Sequence, residues 1–252
     1  MMKLICLKNE REVSIRAAEI MSEVIKERPN ALLGLATGST PVGMYRELIK
    51  KHLDGELSFK EVRSVNLDEY VGLAPDHSQS YADFMAKNLF DYIDINKENT
   101  FIPNGAAADP EAECERYNRL LDRLGRVDIQ LLGIGHNGHI AFNEPDVCFT
   151  KDTTLVNLTD STVKANSRFF DSEDQVPKEA ISMGIGRILR SKRVLLLATG
   201  EGKADILEKA LFGSVTPEVP ASILQFYQGD LIVVGDEPAF KIIKQKHSEA
   251  IF

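Results

Sequence analysis

Apolar positions along the chain follow two spacings. Over residues 11–28, Val13, Ala17, Ile20, Met21, Val24 and Ile25 recur at helical intervals, and Pro29 and Asn30 end the run. Residues 31–36 are then continuously apolar, as in a strand buried on both faces. Thr40 and Pro41 read as an N-cap followed by proline at the first helical position. Val42, Tyr45, Leu48 and Ile49 give the next helix its apolar stripe. Residues 62–67 form a second strand, 110–124 a helix with Tyr117, Leu120, Leu121 and Leu124 facing inward, and 129–134 a third strand. Residues 178–190 are expected to be helical, with Ala180, Ile181, Met183, Ile188 and Leu189 apolar. Residues 193–198 and 231–234 are further strands, with a helix from about 201 to 211 between them.

Strands of this kind belong to a mostly parallel sheet covered by helices on each side. No linker rich in Pro, Gly or Ser interrupts the chain, and no internal repeat is visible. The expectation is one three-layer α/β/α, Rossmann-like domain over residues 1–252. Segment 146–175 departs from the pattern. It is polar, has a small strand-like piece at 154–158, and reads as a lid or excursion.

Composition narrows the function classes. Hydrophobic residues are 43% and charged residues 27% of the 252, enough apolar surface to offset chain entropy. With 30 basic and 38 acidic residues the net charge is −8, which argues against a general nucleic-acid binder. Cys6, Cys114 and Cys148 form no C-x-x-C pair, so neither a disulfide framework nor a cysteine zinc site is expected. No apolar run reaches the roughly 20 residues of a membrane span, and Lys3 comes too early for a signal peptide. A cytoplasmic protein is expected.

In open parallel sheets the ligand lies beyond the carboxyl ends of the strands, and there this sequence concentrates its chemistry. The first buried strand runs into Thr37, Gly38, Ser39 and Thr40, small residues at a helix entrance that favours an anion. The second ends in Asp68 and Glu69. Being adjacent on a strand end, they point opposite ways, so one of the two faces the site. The third runs into a segment holding His136, Asn137, His139 and Glu144, where a carboxylate can orient an imidazole for proton transfer. The fourth is followed by Lys203, and Arg168 sits in the lid segment; both are cations available to a phosphate. His77 and His247 are expected to be structural or exposed. The H-E-x-x-H and zinc deaminase patterns are absent, so no metal is expected. A phosphate site, a carboxylate base and an imidazole suit aldose–ketose chemistry on a phosphosugar.

The motifs also carry a family likeness. Residues 35–41, 65–70, 80–81, 133–145, 165–171 and 175–178 resemble the glucosamine-6-phosphate deaminase (glucosamine-6-phosphate isomerase) family over nearly the whole chain. The resemblance implies a Rossmann-like α/β/α fold and conversion of α-D-glucosamine 6-phosphate and water to fructose 6-phosphate and ammonia, with no cofactor. It implies that His139 opens the sugar ring, that Glu144 and Asn137 tune His139, and that Asp68 moves the C2 proton to C1. Thr37, Gly38, Ser39, Thr40, Arg168 and Lys203 would hold the phosphate. A lid at about 158–178 would close on substrate.

Two departures bear on these expectations. Many members carry Asp where this chain has Asn137, which removes one ionisable group and implies an altered pH profile. Members activated by N-acetylglucosamine 6-phosphate use basic residues where Thr154 and Val156 stand here, so no such activation is expected. A monomer or small homo-oligomer, rather than a hexamer, is expected, without nucleic-acid or membrane partners. Two rival readings remain at this stage: a 6-phosphogluconolactonase, which needs no enolisation base, and a sugar-phosphate sensor, which would carry a DNA-binding module.

Overall fold

A computed structural model describes residues 2–170 and 172–251. The elements run β1 (Met2–Leu7), α1 (Glu10–Glu27), β2 (Leu32–Leu35), α2 (Val42–Leu53), β3 (Arg63–Asn66), β4 (Asp68–Tyr70), α3 (Tyr81–Asn88), β5 (Thr100–Phe101) and α4 (Pro110–Leu124). They continue as β6 (Ile129–Gly133), β7 (Thr154–Asn157), α5 (Asp160–Asn166), β8 (Glu179–Ser182), α6 (Ile185–Ile188), β9 (Arg193–Ala198), α7 (Ala204–Phe212), β10 (Asp230–Asp236) and α8 (Lys241–Lys246).

Seven strands form one parallel sheet in the order β1-β10-β9-β6-β2-β3-β5. Its central strands are buried along nearly their whole length, as the unbroken apolar runs require when helices cover both faces. Strand order reverses between β2 and β6, since β3 lies on one side of β2 and β6 on the other. That reversal is a topological switch point, where open α/β sheets bind their ligands. At the opposite end of the sheet, buried Asp128 accepts from the Leu32 N–H (2.8 Å), Lys192 Nζ (2.7 Å) and Arg28 Nη1 (3.0 Å).

Three details differ from the expectations. Residues 178–190 are not one helix: β8 and the single turn α6 occupy them. Ala180, Ile181 and Ser182 pair with β4 and β7, so tertiary pairing overrides a spacing that also suits a helix. Gly184 between them leaves no room for a side chain, because a Cβ there would stand 2.3 Å from the Asp152 carbonyl oxygen. Thr40 is not the cap of α2. Pro41 holds the cap position in helical conformation, and no side chain bonds the first turn. The edge strand β1, which apolar patterning does not announce, pairs with β10 along its full length.

A second, antiparallel sheet in the order β4-β8-β7 stands beside the first. It absorbs the strand-like piece of segment 146–175 as β7. The chain leaves β7 for α5 and returns to β8, with the Leu158 N–H bonded to the Lys178 carbonyl at 2.8 Å. Asp171, the last residue of the motif at 165–171, lies outside the described residues. No helix among the described residues is long and apolar enough to cross a membrane.

Candidate active site

Four neighbouring strands, β9, β6, β2 and β3, present their carboxyl ends side by side. The segments that follow them carry the residues singled out from the sequence.

The β2 segment is the turn Thr37–Thr40. Tyr45 donates from its hydroxyl to the Ala36 carbonyl (2.6 Å), fixing the end of β2 against α2. Gly38 has φ +89°, a conformation that side chains rarely adopt, and a Cβ there would meet open space. The constraint is therefore backbone shape. No side chain caps α2; the Val42 N–H bonds the Ser39 carbonyl (3.4 Å), and the helix N-terminus beside the turn favours an anion.

The segment after β3 bends into β4 and gives its adjacent carboxylates different surroundings. Glu69 turns to the start of α3, where it accepts from the N–H groups of Tyr81 (2.9 Å) and Ala82 (3.0 Å), and it also accepts from the N–H of its neighbour Tyr70 (2.9 Å). Its alternate on the strand, Asp68, is also buried, yet no donor among the described residues bonds its carboxylate. Burial, with the Glu69 charge adding to it, pushes Asp68 up to about 8. Burial raises Glu69 too, to about 7, with the three N–H donors pulling against it.

The β6 segment gathers Asn137, His139 and Glu144 into direct contact. Asn137 Nδ2 donates to Glu144 Oε2 (2.6 Å), and the His139 N–H donates to Asn137 Oδ1 (3.2 Å). His139 Nδ1 lies 3.4 Å from the same Glu144 oxygen, a charge contact looser than a well-formed hydrogen bond. Burial works to raise the Glu144 pKa, but His139, Thr162 and Asn137 together hold it below the ordinary value. His136 is not part of this group; its Nδ1 lies 3.2 Å from the Gly202 carbonyl.

This segment is fastened to the small sheet beside Asp68. Ser182 pairs with Asp68 across β4–β8, and its hydroxyl also accepts from the Phe142 N–H (3.0 Å). Asn143 Nδ2 bonds the Ile140 (2.8 Å) and Met183 (2.9 Å) carbonyls. Tyr70 packs against Phe142, Tyr81 and Phe170, with ring centroids 5.6, 4.9 and 5.9 Å away. The base candidate and the imidazole loop thus share one anchor.

Lys203 closes the turn after β9. The Gly200 N–H bonds both carboxylate oxygens of Asp236 (3.0 Å each), which holds that turn to the end of β10. Burial, then the Arg168 charge, lowers Lys203 to about 8. The segment between β7 and β8 therefore brings Arg168 within electrostatic reach of Lys203. Of the other histidines, His247 stacks on Phe212 (3.9 Å between centroids) and His77 is exposed.

Sequence reasoning missed Thr162, whose hydroxyl donates to Glu144 Oε1. It also missed Ser182 and Asp236. Short polar residues in polar runs carry no signal of long-range partners.

The chain matches known proteins over nearly its whole length. The family model described as glucosamine-6-phosphate isomerases/6-phosphogluconolactonase matches residues 9–233. A glucosamine-6-phosphate deaminase of Clostridium perfringens (strain SM101 / Type A) is 51% identical over 243 residues, 96% of this chain and 100% of that one. One from Lachnoclostridium phytofermentans is 54% identical over 233 residues, 92% of this chain and 98% of that one. A solved monomeric glucosamine-6-phosphate deaminase superposes with a TM-score of 0.93 at 48% identity, covering 95% of this chain and 99% of that chain. A 6-phosphogluconolactonase from Leishmania guyanensis shares the fold, with a TM-score of 0.79 at 23% identity, covering 96% of this chain and 98% of that one. The chain belongs to the glucosamine-6-phosphate isomerase/6-phosphogluconolactonase family.

Proposed function

We propose that this protein converts α-D-glucosamine 6-phosphate and water to D-fructose 6-phosphate and ammonia. The observation that carries the reading is Asp68: a buried carboxylate, bonded by no described donor and raised to about 8, at the same anchor as the His139 loop. A carboxylate of that basicity suits proton abstraction next to a carbonyl. The relatives at about half identity bear the deaminase name.

The turn Thr37–Thr40, Lys203 and Arg168 hold the phosphate. His139 moves protons between the ring oxygen and the anomeric hydroxyl, opening the pyranose to the free aldehyde. Glu144 and Asn137 orient the imidazole. Asp68 then removes the C2 proton while the aldehyde oxygen gains one, giving an enolamine, and returns its proton to C1 as the nitrogen gives one up. The resulting C2 imine adds water and releases ammonia, leaving the ketone of fructose 6-phosphate. Closure of the segment 158–178 excludes bulk water from the enolamine. These steps draw on the chain's own side chains and backbone N–H groups. The protein works as a monomer or small homo-oligomer without activation by N-acetylglucosamine 6-phosphate.

The test is release of ammonia and fructose 6-phosphate from glucosamine 6-phosphate by purified protein, with EDTA present and Asp68→Asn alongside. Equimolar products that survive EDTA and vanish in the variant support the reading. Hydrolysis of 6-phosphogluconolactone in place of deamination, unaffected by Asp68→Asn, overturns it in favour of a lactonase.

A further inference from the structure

We propose that Thr162 is a positioning residue that couples the seating of helix α5 to the acid–base state of the Glu144–His139 pair. The inference rests on the proposed roles of that pair.

Each carboxylate oxygen of Glu144 has its own donor. Oε2 takes Asn137 Nδ2, from the same loop, while Oε1 takes the hydroxyl of Thr162, from the segment between β7 and β8. The direction of the second bond is fixed by its neighbours. Thr159 caps α5, its Oγ1 accepting from the Thr162 N–H (3.3 Å) and donating to Thr162 Oγ1 (3.1 Å). Thr162 therefore has one hydroxyl proton and sends it to Glu144. The residue is buried, so little water competes for that bond.

Asn137 and Glu144 move together whatever α5 does. Thr162 moves with α5. When α5 lifts, Oε1 loses a donor and the carboxylate becomes more basic, which alters its grip on His139. His139 is the titratable group in direct contact with Glu144. Linkage makes the effect mutual: protonating Glu144 weakens the acceptor that holds α5 down.

Thr162→Val removes the hydroxyl and keeps the shape; Thr162→Ser keeps the hydroxyl. Three readouts apply. The first is the 13C NMR titration of the Glu144 carboxylate, assigned with Glu144→Gln. In Thr162→Val it moves up by about half a pH unit or more, and Thr162→Ser restores it. The second is hydrogen exchange across residues 160–166, corrected for intrinsic rates. In the unaltered protein protection falls as Glu144 protonates; in Thr162→Val it is low throughout. The third is deamination at its pH optimum: kcat falls about tenfold with KM changed less than twofold, and Thr162→Ser rescues it. An unmoved Glu144 titration in Thr162→Val, or α5 protection independent of Glu144 protonation, overturns the proposal. Absence of ammonia release from the unaltered protein overturns the deaminase reading instead, and the first two readouts still decide the role of Thr162.

Discussion

Gly135 and His139 share one space. A Cβ on Gly135 would stand 2.4 Å from the imidazole Nε2 and 2.5 Å from two of its ring carbons. The alanine variant must push the ring aside while β6 itself stays in register. Displacing a reacting group by about 1 Å costs on the order of a hundredfold in rate. Gly135→Ala is expected to lose about that much kcat and to keep a melting temperature within a few degrees of the parent. Assay and calorimetry on the same preparation check both.

With the proposed roles, Asp68 and Lys203 are expected to set opposite limbs of one pH profile. Asp68 must be ionised to act and is raised to about 8 by burial and the Glu69 charge, so kcat/KM climbs with pH towards that value. Lys203 is lowered to about 8 by burial and the Arg168 charge, so phosphate binding weakens above it. The expected profile is a narrow bell centred near pH 8. Arg168→Gln removes the repulsion on Lys203, moves the alkaline limb upward and raises KM. Profiles of the two proteins side by side test this.

Asp68 also costs stability at neutral pH. Its folded pKa lies above the unfolded value of about 4, so its contribution is fully present below about 4 and is lost as pH rises through about 8. Asp68→Asn is therefore expected to abolish activity and raise the melting temperature at pH 8. The two proteins should converge near pH 4. A melting series from pH 4 to 9 checks the sign.

Asp128 behaves in the opposite sense. Burial works to raise it, but Lys192, the Leu32 N–H and Arg28 hold it below the ordinary carboxylate range. Its stabilisation is present above the unfolded value of about 4 and is lost as pH falls through the folded one. Asp128→Ala orphans the Leu32 N–H and is expected to cost about 2 kcal/mol, measured by urea unfolding at pH 7. It lies at the far end of the sheet from the site, so kcat should hold.

Much of this arrangement is legible in the sequence. Continuous apolar runs mark β2, β6 and β9, and the polar residues after them fall at adjacent strand ends because sheet order happens to make those strands neighbours. What stays hidden depends on partners distant in sequence. Ala180 and Ile181 suit a helix until residues 68–70 and 154–157 claim them as strand partners. Alternation says that Asp68 and Glu69 diverge but not which way. The N–H groups at the start of α3 decide it by drawing Glu69 to themselves. Thr162 looks like any threonine in a polar stretch until α5 lays it against Glu144.

The pairing of β7 with β8 makes the residues between them a cassette. Asn157 faces Glu179, and the Leu158 N–H meets the Lys178 carbonyl, so chain exit and re-entry are pinned at a single rung. Lengthening such a loop costs little, about 0.6 kcal/mol per doubling, and leaves the register of the seven-stranded sheet untouched. Within the cassette Val163 and Val176 pack with Tyr70 and Phe142, and Thr162 reaches Glu144, so an exchanged segment must keep both the apolar contacts and the hydroxyl.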